Sequence, residues 1–543
     1  MVLIPSTVIV LVALAQPLHA QSPLVHTPIV DLGYARYQGF YNTTSKVSQF
    51  RGIRYAAPPT GSQRWQAPQP PAQTSELQIA DNHPLFCLQT TVFPSSNTNP
   101  YRNIVNGLPQ PANPEVKRPV YDPSRESEDC LFLNVYYPGR VPPIVPLPVI
   151  VWIHGGALNN GGISKFNGAT LVEDSGLATI VVTIQYRLGI YGFLSSQKIK
   201  DGGVLNAGLL DQQFAFQWVR NNIRKFGGNP SMVTIWGESA GAESVLLHAI
   251  ANGGNTNPPL FRGAMISSVP ILSQYPYNHA IPEAAYNSVV HQLGCQSSTD
   301  TLACLRAADI PSLQSANNNL TESCFRGTYI ALPVTDGTFL TQRPSEAFKK
   351  GQVNKVKMLA FANANETQFA DPFMDPGSLA KETFPLFGDA EAAEVSQLYS
   401  GLGDTTRTIG ILVSELTFVC PTLKVMTAFK SHKGVFAIPP ASHSLDLGYY
   451  FRGYRAITYH NVQFQRAFTH AFTNFAMTLD PNFPLRLTGI TPWWNPYDLG
   501  KTEMVFNKTE DGRPSIKTIQ THSALLRRCQ FWNSDRILAL TVQ

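Results

Sequence analysis

A serine at the tip of a glycine-rich turn is the residue in this chain best placed to do chemistry. Residues 226–241 read FGGNPSMVTIWGESAG, so Gly237 and Gly241 lie two residues to either side of Ser239. The apolar residues 232–236 predict a strand directly before the turn. Such a strand-to-helix turn exposes a serine hydroxyl where a base can reach it. The pattern indicates a nucleophile for acyl transfer, although the five-residue motif alone also occurs by chance.

Acyl transfer through a serine needs backbone donors for the oxyanion that forms during attack. The apolar residues 147–153 (LPVIVWI) predict a strand that ends in His154-Gly155-Gly156. Glycines directly after a strand present N–H groups without obstruction by side chains. We expect the amides of Gly155, Gly156 and Ala240 to converge on one oxygen; an ordinary glycine-rich turn is the alternative.

The base is expected late in the chain, because hydrolases built on this turn run in the order serine, acid, histidine. His443 lies in a loop of small residues, PPASHSLD, after residues 435–438, which predict a short strand. A loop after a strand gives an imidazole the freedom that a base needs. Three histidines on or near expected helices are weaker candidates: His248, His460 and His470.

A third group must orient the base and stabilise its positive form. Glu366 follows the apolar stretch KVKMLAFA within NANETQF, which places it after an expected strand. Asp336 in VTDG is the second candidate, but Asp-Gly is a common turn sequence. Position relative to a strand end therefore favours Glu366.

Apolar stretches rich in β-branched residues alternate with helical patterns and would position these groups. The stretches that predict buried strands are 147–153, 178–184, 232–236 and 355–361, and residues 209–226 predict an amphipathic helix. This alternation predicts an α/β fold with a large, mostly parallel central sheet flanked by helices. The candidate residues follow strands, and chemistry in such sheets gathers at the carboxyl ends of the strands.

The composition is that of a folded protein without a nucleic-acid partner. Of 543 residues, 43% are hydrophobic and 14% are charged, which argues against disorder. The net charge of +5 is small, and no basic stripe is present. We expect residues 21–543 to form a single catalytic domain.

Residues 1–20 predict a secretory signal peptide, with an apolar core and cleavage near Ala20. A membrane anchor is the alternative, but the apolar run is too short to span a bilayer. Since no later stretch approaches that length, we expect a secreted, extracellular protein without stable membrane insertion. The sequence does not indicate an oligomeric state.

Seven cysteines fit an oxidising compartment. Spacing suggests that Cys87 pairs with Cys130 and Cys295 with Cys304, which leaves an odd set of Cys324, Cys420 and Cys529. Sequons predict glycans at Asn42, Asn319 and Asn507. A fourth sequon, at Asn365, is expected to stay unused because it adjoins a buried acid.

Residues 88–129 are rich in Pro, Asn and Ser and show little periodicity. They are long for a plain connection, so they form either a functional surface loop or a flexible lid held by the flanking cysteines. Their apolar residues give only mild amphipathicity, which slightly favours a surface loop over the lid of an interfacial lipase.

Several motifs together resemble the type-B carboxylesterase and lipase family, which includes cholinesterases and fungal lipases on the α/β-hydrolase fold. The resemblance runs from about residue 50 to about residue 497. The matching segments are FRGIRYAAPPTGSQRW at 50–65, EDCLFLNVY at 128–136, YRLG at 186–189, NAGLLDQ at 206–212, and 226–241.

The resemblance implies that Ser239 is the nucleophile, Glu366 the acid and His443 the base. It implies oxyanion donors at Gly155, Gly156 and Ala240, and the disulfides Cys87–Cys130 and Cys295–Cys304. No metal or cofactor is implied. The chain departs from the family pattern in three places. Asn365 and Thr367 flank the acid, and Ser444 replaces a glycine after the histidine. The segment 435–443, which leads to the histidine, is shorter than the strand and loop that the family usually has there.

The sequence thus predicts a secreted serine hydrolase that cleaves small-molecule or lipid carboxylic esters through an acyl-enzyme on Ser239. Alternatives that keep this chemistry are an interfacial lipase, a sterol esterase and a hydrolase of aromatic, feruloyl-type esters. A non-catalytic binding protein of the same fold is the other alternative, and the presence of serine, acid and histidine argues against it.

Overall fold

The structure, a computed structural model, describes residues 27–105, 121–366, 374–483 and 489–543. The signal peptide expected at residues 1–20 and the middle of the 88–129 segment lie outside these ranges.

An 11-stranded sheet is the centre of the described fold. In chain order the strands are β1 (Ile29–Asp31), β2 (Arg36–Gln38), β3 (Phe40–Asn42), β4 (Val47–Arg54), β5 (Leu77–Ile79), β6 (Phe86–Cys87), β7 (Glu126–Ser127), β8 (Phe132–Pro138), β9 (Leu147–Ile153), β10 (Ile180–Ile184), β11 (Gly228–Glu238), β12 (Gly263–Ser267), β13 (Lys357–Asn363), β14 (His432–Phe436), β15 (Thr502–Lys508) and β16 (Pro514–Gln520). The order in the large sheet is β16-β15-β14-β13-β12-β11-β9-β10-β8-β4-β3.

The strands from β10 to β15 in that order pair in parallel. The strands β8, β4 and β3 at one end, and β16 at the other, pair antiparallel. The predicted α/β class with a large, mostly parallel sheet is therefore confirmed. Short sheets of β1-β2-β5 and β6-β7 lie outside it.

Helices cover both faces of the sheet. In chain order they are α1 (Tyr101–Val105), α2 (Gly168–Asp174), α3 (Gly189–Phe193), α4 (Gln197–Gly202), α5 (Ala207–Asn222), α6 (Ala240–Gly254), α7 (Ala280–Gln292), α8 (Thr301–Ala307), α9 (Ile310–Glu322), α10 (Pro344–Lys350), α11 (Pro376–Thr383), α12 (Asp389–Leu398), α13 (Thr405–Ser414), α14 (Cys420–Phe429), α15 (Leu447–Tyr450), α16 (Val462–Thr478), α17 (Ser523–Trp532) and α18 (Asp535–Thr541). Two 3₁₀ turns, Gly61–Gln63 and Ile223–Phe226, and a π-helical turn, Glu415–Val419, complete the set.

Strand β9 shows why the sheet is buried on both sides. Val149, Val151 and Ile153 belong to one hydrophobic cluster, while Ile150 and Trp152 belong to the cluster on the opposite face. Helices α5 and α6 pack on one face, and α2 and α16 on the other. A strand that is covered twice needs a continuous apolar run, which is the pattern its sequence has.

The strand expected at residues 435–438 lies earlier, at His432–Phe436. Its first residues are a histidine, a lysine and a glycine, so hydrophobicity gave no signal for them. The side chain of Lys433 is buried by pairing with Glu503 on the adjacent β15. This cross-strand ion pair allows a polar sequence to continue the sheet.

One helical stretch contradicts the expectation that no later segment approaches membrane-spanning length. Thr405–Phe429, which comprises α13, the π turn and α14, is long and apolar enough by composition. However, 67% of its most apolar window is buried inside the protein, and α14 packs on β13. The apolar side chains of this helix thus belong to the core.

The cysteines form three disulfides: Cys87–Cys130, Cys295–Cys304 and Cys420–Cys529. The third bond joins α14 to α17 across 109 residues and uses two of the three cysteines that spacing left unassigned. Cys324 is buried and free.

The glycan expected at Asn319 does not fit the fold. Asn319 lies within α9, is only 5% exposed and donates from Nδ2 to Gln292. A sugar on that nitrogen would displace a packed side chain. Asn42 is exposed and Asn507 half-buried, so glycans there remain predictions. Asn365 is itself exposed, which removes the burial argument against its sequon.

Candidate active site

Five neighbouring strands end at the same edge of the sheet, in the spatial order β9-β11-β12-β13-β14. Each is followed within a few residues by a residue of the candidate site. In that strand order the residues are Gly155, Ser239, Ser268, Glu366 and His443. Parallel pairing therefore brings together residues that are far apart in sequence, from Gly155 to His443.

The turn between β11 and α6 holds Ser239 in a strained conformation, with φ 57° and ψ −127°. Such strain at the tip of a strand-to-helix turn presents the hydroxyl away from the backbone. The flanking glycines are needed for space. A Cβ at Gly237 would lie 2.3 Å from the Gly241 carbonyl oxygen, and a Cβ at Gly241 would lie 2.1 Å from the Ile153 oxygen.

Glu366 holds one side of the His443 imidazole. Its Oε2 lies 2.7 Å from Nδ1 of His443, and both side chains are buried. Its other oxygen, Oε1, accepts from the Ser268 hydroxyl at 2.7 Å and from the Asn363 amide at 2.6 Å. The Glu366 amide donates to Ser414 Oγ on α13. The carboxylate is thus fixed from three directions, as an orienting group requires.

Glu238 lies on the other side of the same ring, with Oε1 3.4 Å from Nε2 of His443. The ring of Phe418, on the π-helical turn, covers His443 with centroids 4.3 Å apart. π-helical turns within helices are frequent at functional sites, where they redirect a side chain. The imidazole is therefore confined between two carboxylates and an aromatic ring.

The electrostatics of this cluster favour a charged imidazole. Burial alone would lower the pKa of His443, but the carboxylates of Glu238 and Glu366 outweigh it and raise the pKa to about 9. Burial raises the pKa of Glu238 to about 7, although a positive His443 opposes that shift. Burial also raises the pKa of Asp446, which accepts hydrogen bonds from Asn363 and Tyr450. A proton taken up by His443 is thus stabilised.

The turn after β9 packs directly against the serine turn. A Cβ at Gly155 would lie 2.6 Å from the Glu238 carbonyl oxygen and 3.1 Å from Ser239 Cβ. Gly156 has φ 113°, a conformation that favours glycine. Gly155, Gly156 and Ala240 line one cavity together with Ser239. Three candidate oxyanion donors therefore lie beside the candidate nucleophile.

That cavity has a volume of about 560 Å³ and is also lined by Glu366 and His443. This volume is typical of a site for a small organic ligand. Aromatic and aliphatic side chains supply much of the wall: Phe86, Val92, Phe93, Phe166, Leu272, Leu379, Leu416 and Phe418. Exposed cationic side chains line it as well: Arg125, Lys165 and Arg326.

Residues 89–93 of the 88–129 segment line one wall of the cavity and are tied to α9. Oδ1 of Asn318 accepts from the Thr90 hydroxyl at 2.9 Å and from the Thr91 amide at 3.0 Å. Phe93, which is 62% exposed, lies at the edge of the same wall.

The weaker candidates from the sequence lie away from the cavity wall. Asp336 accepts from Asn206 and from two amides of its own turn, a structural role. His248 is buried on α6 against Gln212, and burial lowers its pKa to about 3. His460 precedes α16 and His470 lies within it.

Several residues of the cluster had no clear sequence signal. Glu238 could have been found, because it adjoins Ser239 in the motif. Asn363 and Asp446 lie within three residues of Glu366 and His443, but hydrophobic patterns do not indicate their contacts. The others come from distant segments and depend on tertiary packing: Ser268, Ser414 and Phe418.

Comparisons with known proteins identify the family and the fold of this chain. The model of the carboxylesterase family matches residues 26–532. Lipase 2 of Geotrichum candidum is 30% identical over 86% of this chain and 89% of its own. Secreted lipase 1 of Botryotinia fuckeliana is 35% identical over 63% of this chain and 60% of its own. The crystal structure of Aspergillus niger EstA superposes with a TM-score of 0.82 at 28% identity, covering 95% of this chain and 99% of its own.

Proposed function

Because the chain belongs to the carboxylesterase family, it is a carboxylic ester hydrolase, and we propose that Ser239, His443 and Glu366 are its catalytic residues. The observation that carries the proposal is the short contact between His443 Nδ1 and Glu366 Oε2 beside a strained serine turn. This contact leaves Nε2 as the nitrogen that accepts a proton.

In the proposed reaction, Ser239 Oγ attacks the ester carbonyl while Nε2 of His443 takes the hydroxyl proton. The carbonyl oxygen becomes an oxyanion and accepts from the amides of Gly155, Gly156 and Ala240. Collapse of this tetrahedral intermediate breaks the bond to the alcohol, which leaves with the proton from His443. An acyl-enzyme on Ser239 remains. Water, deprotonated by the same imidazole, releases the acid and restores Ser239.

We propose that the preferred substrates are soluble esters with apolar acyl groups rather than lipid aggregates. The aromatic and aliphatic wall of the cavity supports an apolar acyl group. The hydrogen bonds from Thr90 and Thr91 to Asn318 support a fixed cavity rim rather than a moving lid.

An interfacial lipase is the second candidate, because relatives are named lipases and Phe93 is exposed at the cavity edge. Initial rates on a short-chain triglyceride, measured below and above its solubility limit, separate the two. Saturation below the limit with no jump above it supports an esterase, whereas a steep rise at the limit supports a lipase. A panel of esters that includes sterol and feruloyl esters tests the remaining alternatives.

We propose further that residues 1–20 are removed on export and that residues 21–543 form one catalytic domain. The central sheet supports a single domain, since its strands run from Phe40 to Gln520. Three disulfides and a relative named a secreted lipase support an extracellular site of action. N-terminal sequencing of the exported protein should begin near Gln21.

A further inference from the structure

We propose that Ser444 is a positioning residue that holds the Glu238 carboxylate in place beside the imidazole of His443. The inference rests on the proposed function, since it assumes that His443 is the base.

The first observation is a shared oxygen. The hydroxyl of Ser444 donates to Oε1 of Glu238 at 2.5 Å. The same oxygen lies 3.4 Å from Nε2 of His443. Since Ser444 directly follows His443 in the chain, one short piece of backbone sets the position of the imidazole and of the donor that holds its neighbour.

The second observation is the backbone conformation at Ser444. Its φ is 64°, in the left-handed region where glycine is favoured and a side chain is strained. The Ser444 carbonyl accepts from Arg455 at 3.0 Å, which helps to hold this conformation. A residue with a Cβ at such a position needs a compensating interaction, and the hydroxyl bond to Glu238 is one.

The bond restricts a carboxylate that would otherwise rotate. The last torsion of a glutamate side chain is broad and poorly defined by itself. The second oxygen, Oε2, lies near Gly155, because a Cβ there would be 2.9 Å from it. With Oε1 held by Ser444, the Glu238 carboxylate has a fixed distance from Nε2 and from the candidate oxyanion site.

The bond also favours the charged form of Glu238, because a hydroxyl donates to a carboxylate more strongly than to a neutral acid. A charged Glu238 stabilises the protonated form of His443. The other titratable groups around this pair are Glu366, Asp446, Tyr450 and Tyr454. Loss of the hydroxyl should therefore make Glu238 easier to protonate, and a carboxylate that can rotate away from Nε2 should make His443 easier to deprotonate.

The test is the pH dependence of kcat/KM for an uncharged short-chain ester. Ser444→Gly removes the hydroxyl and the strain, whereas Ser444→Ala removes the hydroxyl and keeps the strain. Each is made in the wild-type protein and in Glu238→Gln. Ser442→Ala, a serine one residue before His443 in the same loop, is the matched control. Thermal melting verifies that every variant is folded.

Both Ser444 variants should move the acid limb of the profile to lower pH by about half a unit to one unit, the change expected when a charge moves about 1 Å further from Nε2 at an effective dielectric constant of about 20. In the Glu238→Gln background the same substitutions should leave the limb in place, and Ser442→Ala should not move it. The inference is overturned if both variants keep the wild-type limb, or if their shift persists with Glu238→Gln.

Ser239→Ala, assayed in parallel, separates this inference from the proposed function. An inactive Ser239→Ala with an unmoved limb in the Ser444 variants rejects the role of Ser444 alone. An Ser239→Ala variant with wild-type turnover rejects the proposed function and this inference with it.

Discussion

Oε1 of Glu238 lies 3.4 Å from Nε2 of His443, across the ring from the Glu366 carboxylate that contacts Nδ1 at 2.7 Å. The imidazole thus lies between two buried acids. In the proposed reaction, Glu366 orients the ring for proton transfer, and Glu238 stabilises the charge that the ring acquires. The second contribution sets the pH range in which the base is available.

The pH profile of the wild-type enzyme should reflect this arrangement. A base must be neutral to accept the serine proton, so kcat/KM is lost as pH falls through the pKa of His443 in the free enzyme. Because that pKa is raised to about 9, the acid limb should lie well above the ordinary value of about 6.5 for histidine. An acid limb at or below the ordinary histidine value would contradict a raised pKa of His443.

Replacement of Glu238 by glutamine should shift that limb. Glu238→Gln removes the carboxylate that contributes most to raising the pKa of His443. The acid limb should therefore move down, by about one unit or more for a charge at this distance. Glu510→Gln, an exposed carboxylate on the β15–β16 turn, is the control and should leave the profile unchanged.

Replacement of Glu366 by glutamine should lower kcat by about 10⁴-fold, because an amide favours the wrong tautomer of the imidazole and does not stabilise its charge. KM should change little, since the Glu366 side chain is fully buried. Steady-state kinetics on a short-chain ester measures both. A Glu366→Gln enzyme within tenfold of the wild-type kcat would show that another group orients the base.

The apolar stretches of the sequence predict the positions of the three candidate catalytic residues. Ser239, Glu366 and His443 each follow an apolar stretch, and a parallel sheet brings such positions to one edge. Glu238 and Ser444 adjoin predicted residues, but their contact joins segments 206 positions apart. Hydrophobic patterns carry no information on which polar side chains meet at that range.

Removal of the Cys420–Cys529 disulfide should destabilise the protein by about 2–4 kcal/mol, since the bond closes a long loop in the unfolded chain. It also anchors α14, which continues the helix that carries Phe418. Denaturant titration of Cys420→Ser/Cys529→Ser, with Cys324→Ala as the control, measures the change. Equal midpoints for the double variant and the wild type would contradict the structural role of this bond.

Burial divides the predicted glycosylation sites. Glycopeptide mass spectrometry of protein from a eukaryotic secretory host should find Asn319 unmodified, because its side chain is packed within α9. Asn42 is exposed and should be occupied. Occupancy at Asn319 in folded, active protein would contradict the position of this helix.

Polar interactions also account for what the sequence missed in the fold. The start of β14 was missed because Lys433 is buried through an ion pair with Glu503 and not through hydrophobicity. The sequon predicts a glycan at Asn319, although its side chain donates a hydrogen bond to Gln292 on α7. In both cases the decisive partner comes from another element.

The most direct test of the central claim is covalent labelling of the nucleophile. The protein is treated with a p-nitrophenyl phosphonate, which forms a stable adduct with an activated serine, and the modified peptide is located by mass spectrometry. The account predicts one adduct per chain, on Ser239, with activity lost in proportion to labelling, and an unlabelled, inactive Ser239→Ala. An adduct on another residue, or wild-type turnover by Ser239→Ala, would contradict it.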